Sequence, residues 1–248
     1  MKRMSEANSD DFDLLLATIG TLDGFDTVQD LAQAFVTICH EHFHKSLVLL
    51  RLFSTVPFSA LSAEDRQLVE KKMEAAATAH LLRESTPVLT LLGTRGRDAD
   101  WNERNRSKGF RCIPLVSSAY VASLSMLSMQ FKSMSFDLER LDDWDTSVIE
   151  NGRADMYSGM LYVHEAGVDR DDQNRLVVPR QEFVTEHGVK TSLGFGSGYA
   201  SYPAIVILFA FTDEVLTRAT VEPFAQLLDA YISISEAFVK TGSPLLKI

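Results

Sequence analysis

The densest group of ligand-type side chains is Cys39-His40-Glu41-His42-Phe43-His44. A metal bound on a helix takes ligands at i and i+4, where two imidazoles share a face, and His40 with His44 have that spacing. The helical periodicity ends close to His42, however, and the helix dipole favours a histidine in a last turn without any metal. His164 follows an apolar run and is a third candidate, as an axial haem ligand; a surface position at a strand end is the plainer reading. A haem or metal sensor using His40, His44 and His164 therefore stays open as a narrow alternative.

Gly194-Phe195-Gly196-Ser197-Gly198 has a superficial likeness to a phosphate loop. It lacks the closing Gly-Lys-Ser/Thr and leads into a strand-like run, so a hairpin connection needing positive φ is expected instead. Gly196-Ser197-Gly198 also lacks the Gly-x-Ser-x-Gly spacing of a nucleophile elbow. The acidic runs Asp142-Asp143-Trp144-Asp145 and Asp169-Arg170-Asp171-Asp172 do not follow the Asp-x-Asp-x-Asp-Gly pattern of a calcium loop and read as solvated loops. Met126, Met129 and Met134 read as core. No nucleophile–base or carboxylate pair stands out, so the expectation is a non-enzymatic protein with no catalytic residues, and no motif names a cofactor.

Bulk properties narrow the partners. The 248 residues carry 24 Lys and Arg against 34 Asp and Glu, a net charge of −10. Nucleic-acid binding is driven by clustered cations that release phosphate counterions, and here only the stretch from Arg95 to Arg111 is locally basic, diluted by Asp98, Asp100 and Glu103. Cys39 and Cys112 lie in apolar runs and read as buried, reduced thiols. The N-terminal residues lack the apolar core of a signal peptide. Residues 112–131 are uncharged, but Pro114 and five serines make them a poor spanning helix. A cytoplasmic protein with no nucleic-acid or membrane partner is expected.

Periodicity supplies the elements that position these residues. Asp26 is the expected cap of an amphipathic helix through Val28, Leu31, Phe35 and Ile38 to about His42. Residues 47–53 form a nearly unbroken apolar run, as do residues 205–211, and such runs belong to strands covered on both faces. Ser62 caps a second helix with acids in its first turn, continuing through residues 74–79. A strand is predicted over 87–92, a short polar helix over 98–107 around Trp101, a strand over 112–115 and one helix over 118–134. Residues 156–164 and 176–178 read as a loose hairpin, 179–187 as a short helix closed by Gly188, and 189–195 with 204–211 as a final hairpin. The last helix carries Phe224, Leu227, Tyr231, Ile234 and Phe238 at alternating steps of three and four, a heptad-like stripe. The expected organisation is a disordered lead over 1–9 and a single domain over 10–248, with its terminal helices packed together.

Two strands needing cover on both faces imply an α+β fold, a central antiparallel sheet with helices on both faces, as in GAF and PAS modules. Arg51-Leu52-Phe53-Ser54-Thr55-Val56-Pro57-Phe58, the run from Thr86 to Gly96, Trp101-Asn102, Ile113-Pro114-Leu115-Val116, Arg180-Gln181-Glu182-Phe183-Val184 and His187-Gly188-Val189 resemble the GAF-like region at the N-terminus of bacterial signalling proteins with kinase or phosphatase outputs. The resemblance covers most of the chain and implies a sensory domain with a ligand cavity between sheet and loop cover. It does not identify a ligand. The given chain ends at Ile248 with no output domain, so the signal is expected to leave through the terminal helices to a separate signalling protein.

Strand or cover positions with aromatic or cationic side chains mark the expected cavity: Arg51, Phe53, Trp101, Arg111, Met126, Tyr162 and Tyr199. Together they suit an apolar molecule with one anionic group. The competing expectation is a ligand-free interaction module that dimerises through Phe224, Leu227, Tyr231, Ile234 and Phe238. An interior cavity separates the two.

Overall fold

Leucine, valine and phenylalanine fill both faces of residues 47–57 and 205–212, and the chain places these two runs where both faces are covered. In the computed structural model, which describes residues 2–106, 110–142, 156–240 and 245–246, β1 (Leu47–Pro57) and β6 (Ile205–Thr212) are the middle strands of a six-stranded sheet. They pair antiparallel from Leu47↔Thr212 to Ser54↔Val206. The other strands are β2 (Pro87–Gly96), β3 (Cys112–Pro114), β4 (Gly159–Val163) and β5 (Thr191–Gly198). The order is β3-β2-β1-β6-β5-β4, antiparallel throughout. This is the α+β, GAF/PAS-like arrangement: a central antiparallel sheet with helices on both faces.

Alternation sorts the side chains. Leu50, Leu52, Leu208 and Ala210 join α1 (Ser9–Gly20), α2 (Val28–Phe43), α7 (Arg218–Val221) and α8 (Ala225–Lys240) in one core; Leu49, Phe53, Ile207 and Phe209 join a second core on the opposite, cover face. Between β1 and β2 lies α3 (Ala63–Ala75), capped by Ser62 through Asp65 N. It ends sooner than expected because Ala77 turns into positive φ, at 55°. Thr27, not Asp26, caps α2, its side chain accepting from Asp30 N.

The N-terminal lead is more ordered than its polarity implies. Met4 is 2% exposed, its N–H donates to Ser46 Oγ at 2.8 Å, and α1 begins at Ser9 behind a reciprocal capping box between Asn8 and Asp11. The terminal stripe is consumed within the chain. Phe224 lies 5.0 Å from Phe12 and 5.1 Å from Phe43, Tyr231 lies 5.0 Å from Phe35, and Leu227 is buried beside them. Of the five, Ile234 and Phe238 remain half-buried, and the other three are buried within the chain.

On the cover face the single helix expected over 118–134 is two, α4 (Ser118–Ala122) and α5 (Ser125–Ser133). Serines that bond to nearby carbonyls compete with helical pairing. Ser123 Oγ donates to Tyr120 O at 2.6 Å, and Ser125 Oγ donates to Leu176 O at 2.9 Å. The second bond also explains why 176–178 does not become a strand: this segment is tied to α5, and only a lone Arg170↔Leu176 bridge forms. Asp143, Trp144 and Asp145 lie outside the described residues.

The glycines of 194–198 are not a hairpin connection. Gly194 and Gly196 sit inside β5, where a Cβ would fall 2.0 Å from Gln130 Oε1 and 2.2 Å from Met134 Sδ. A Cβ on Gly159 in β4 would fall 2.0 Å from Ser133 O. Missing side chains let the end of α5 rest directly on the sheet. Gly159→Ala therefore destabilises the fold by about 1–3 kcal/mol, as overpacking against backbone does. Gly20→Ala, with nothing within 4 Å of the new methyl, does not; urea midpoints of the two variants measure the contrast.

Candidate functional site

Where α5 lies flat on β4 and β5 the cover is close. Toward β1 it lifts away and leaves a cavity of about 730 Å³. Leu49 and Arg51 of β1 and Phe211 of β6 form its floor. Trp101, from the turn after β2, makes one wall. Phe183 and His187, at the end of α6 (Gln181–Glu186), make another, and Met126 of α5 and Phe110 complete the apolar lining.

Each wall is held by a specific bond. Thr94 Oγ1 donates to Trp101 O at 2.8 Å, and Gly96 N–H donates to Asn102 Oδ1 at 2.9 Å. These bonds fold residues 98–102 into a turn, with a 3-10 segment at Ala99–Trp101 in place of the polar helix. Gly96 makes room for the indole, whose Cε3 lies 2.7 Å from where a Cβ would stand. The far wall is fixed by Gln181 Nε2, which donates to Val178 O and Ala166 O at 2.7 and 3.1 Å. Trp101, Phe183 and His187 then mesh, with centroids 5.6 Å apart for Trp101–Phe183 and 4.6 Å for Trp101–His187. Phe183 also meets Phe211 edge-on at 5.2 Å.

Arg51 is the polar centre of the floor. It stands opposite Thr94 on β2 and Phe209 on β6, half-buried. Burial, and secondarily repulsion from Arg180, bring its guanidinium down to about 10. It is still a cation at neutral pH. The acids of the lining, Asp98, Glu182 and Glu186, are all exposed.

Of the residues expected at the cavity, the fold brings Arg51, Trp101 and Met126 together there. Phe53 belongs to the same face but is buried beneath it, edge-on to Phe209 at 6.0 Å. Arg111 is turned toward α3, where its Nε lies 2.8 Å from Asp65 Oδ1 and its Nη2 2.7 Å from Glu64 Oε1. Tyr162 and Tyr199 face the helix layer: Tyr162 donates to Leu216 O at 2.6 Å, and Tyr199 Oη lies 3.1 Å from Ser235 Oγ. Strand alternation puts them on the wrong face, which aromatic character alone does not reveal. Phe110, Arg180, Phe183 and His187 were not anticipated. The i, i+4 spacing of Phe183 and His187 on a short helix is the signal that marks them as one face.

The three histidines do not converge. His40 and the α2 cap residue His44 belong to the helix over β1 and β2, while His164 follows β4 at the far edge of the sheet. His44 Nδ1 is 3.2 Å from Glu41 O, and His164 Nδ1 is 2.7 Å from Tyr162 Oη. No group of three or more His, Cys, Asp or Glu side chains suited to a metal occurs among the described residues. Cys39 and Cys112 are buried and unpaired, and burial pushes their thiols up to about 12 and about 11. No described helix is long and apolar enough to cross a membrane. The sequence matches no protein-family model and no curated protein.

His40 has a measurable consequence of its own. Burial first, then repulsion from Arg95, Arg97 and His44, holds its imidazole down at about 4, a backbone bond to Leu47 offsetting only part. An unfolded histidine titrates near 6.5. Between these values the unfolded chain binds the extra proton, so stability falls as pH drops from about 6.5 toward 4, by up to about 1.4 kcal/mol per unit. His40→Gln removes this dependence; urea midpoints at pH 7 and pH 5 for both proteins test it.

Proposed function

We propose that this chain is a non-enzymatic, GAF-like sensory domain that binds a small molecule in the cover-face cavity and signals through its helix layer to a partner. The single observation that carries the reading is the cavity of about 730 Å³ between sheet and cover, within the range of small-molecule sites of roughly 300–1,000 Å³. Its lining suits recognition: an apolar and aromatic wall around one deep cation. The family motifs support the same reading, since Arg51, Trp101, Arg180, Phe183 and His187 all come from the runs that resemble the GAF-like region. We place the protein in the cytoplasm, where unpaired thiols such as Cys39 and Cys112 stay reduced.

A route out of the cavity supports the signalling half. Trp101 O is tied to Thr94, and Thr94 is bridged to α2 by Gln33, whose Nε2 donates to Thr94 O at 2.9 Å while its Oε1 accepts from Thr94 N at 3.1 Å. Beside this bridge Gly93 lets β2 touch the α2 backbone, with Ala32 O 2.5 Å from the position of a Cβ. Movement of the Trp101 wall on binding thus reaches α2 through short, stiff links. α2 packs on α8, the helix expected to meet a partner.

Two measurements test this. A thermal-shift screen with a small-metabolite library yields hits in the wild type, and Met126→Trp, which puts an indole into the cavity beside Trp101 and Phe183, abolishes them; a screen with no hits sinks the ligand reading. With a hit in hand, hydrogen exchange of the α2 amides changes on binding. Gln33→Ala keeps affinity within about threefold but loses most of that change, because the bridge and not the cavity is cut. An unaltered response in Gln33→Ala removes the proposed route.

A further inference from the structure

We infer that the cavity selects a flat aromatic molecule bearing one anionic group, a carboxylate or a phosphate ester, gripped by Arg51 and Arg180. This rests on the reading of the cavity as a ligand site and adds the chemistry of the occupant.

Charge is sorted by depth. Arg51 is half-buried on the floor, in a middle strand that is held rigidly by neighbours on both sides. Its planar fork carries five N–H donors, and the fork matches the edge of a carboxylate or phosphate. Arg180 lies higher, at the exposed end, with its guanidinium carbon 5.8 Å from the centre of the Phe110 ring. Arg51 and Arg180 both line the cavity, and an anion held between two guanidinium groups bonds to both and offsets their repulsion. Asp98, Glu182 and Glu186 stand exposed at the mouth. Exposed to water and salt, they are screened and weigh less on a group at the floor than the half-buried Arg51 does. They do oppose a second or third negative charge near the mouth, which favours a ligand whose only charge is buried deep.

The walls choose the rest of the molecule. The meshed rings of Trp101, Phe183, His187 and Phe211 offer ring faces and edges at contact distance. Another flat ring fits such a set by offset or edge-on packing, whereas a flexible aliphatic chain gains only its buried area. Three of these rings stand on elements fixed by backbone bonds, so the slot exists before the ligand arrives.

Calorimetric titration of the full chain with 2-naphthoate, 1-naphthyl phosphate, 2-naphthamide and decanoate tests the inference. At least one of the two aromatic anions binds about tenfold or more tightly than both the neutral amide and the aliphatic acid, and the better of the two identifies the anion. Arg51→Gln and Arg180→Gln each weaken that anion about tenfold, the loss of one charge-assisted contact, and leave the amide within about threefold. Arg180 is exposed, so its variant folds whatever the effect of Arg51→Gln. Amide binding equal to that of both anions, or decanoate as tight as the better of them, overturns the ligand class while leaving the cavity a binding site. Absence of binding by all four overturns the class alone if the metabolite screen gives hits blocked by Met126→Trp, and overturns both readings if it does not.

Discussion

β1 and β6 are hydrogen-bonded to each other along the middle of the sheet and apolar on both faces, and every other part of the fold answers to that pair. A half-buried sheet can leave one face to water; this one cannot. The chain must supply two covers, and it does so unequally. The helix layer, built from both ends of the sequence, meets its face with interlocked aromatic side chains: Phe12, Phe35, Phe43, Phe224 and Tyr231. The second cover is made of short helices and connecting segments, held by serine and glutamine side chains bonded to loop carbonyls.

That inequality creates the cavity. Glycines 159, 194 and 196 pull the end of α5 down onto β4 and β5, whereas β1 presents Leu49 and Arg51 and holds the cover off. Arg51 cannot be packed over by a dry hydrophobic layer, because sealing a guanidinium in such surroundings costs far more than the burial gains. Arg51, set among the leucines of β1, thus gives the hollow its chemical character.

Much of this was legible in the sequence, for identifiable reasons. The two-face apolar runs revealed the middle strands, Ser62 announced α3, and Gly188 marked the end of α6 with φ of 64°. The signals that misled were those whose meaning depends on contacts far along the chain. A glycine-rich run looks the same whether it turns the chain or makes room for a helix, and only the position of Gln130 and Met134 decides it. A serine-rich helix pattern reads as continuous until Ser125 finds Leu176 some fifty residues on. For the cavity, residue type pointed to Arg51, Trp101 and Met126, which line it, but could not tell Tyr162 or Tyr199 from them, since face is set by register. Arg111 drew attention as a cation, yet its use is to neutralise Asp65.

The pairing of Gln33 with Thr94 has another consequence, for the behaviour of the protein in a crowded solution. Among the described residues, β3 and Arg111 cover β2 from Val88 to Leu91, which leaves the stretch through Thr94 and Gly96 as an edge of the sheet. An edge with bare peptide groups is a template on which another chain can add a strand, the first step of much aggregation. Here Gln33 occupies both the N–H and the carbonyl of Thr94, and Asn102 occupies the N–H of Gly96. Two amide side chains thus imitate the strand that is missing, and the edge is closed to strangers without the sheet having to grow.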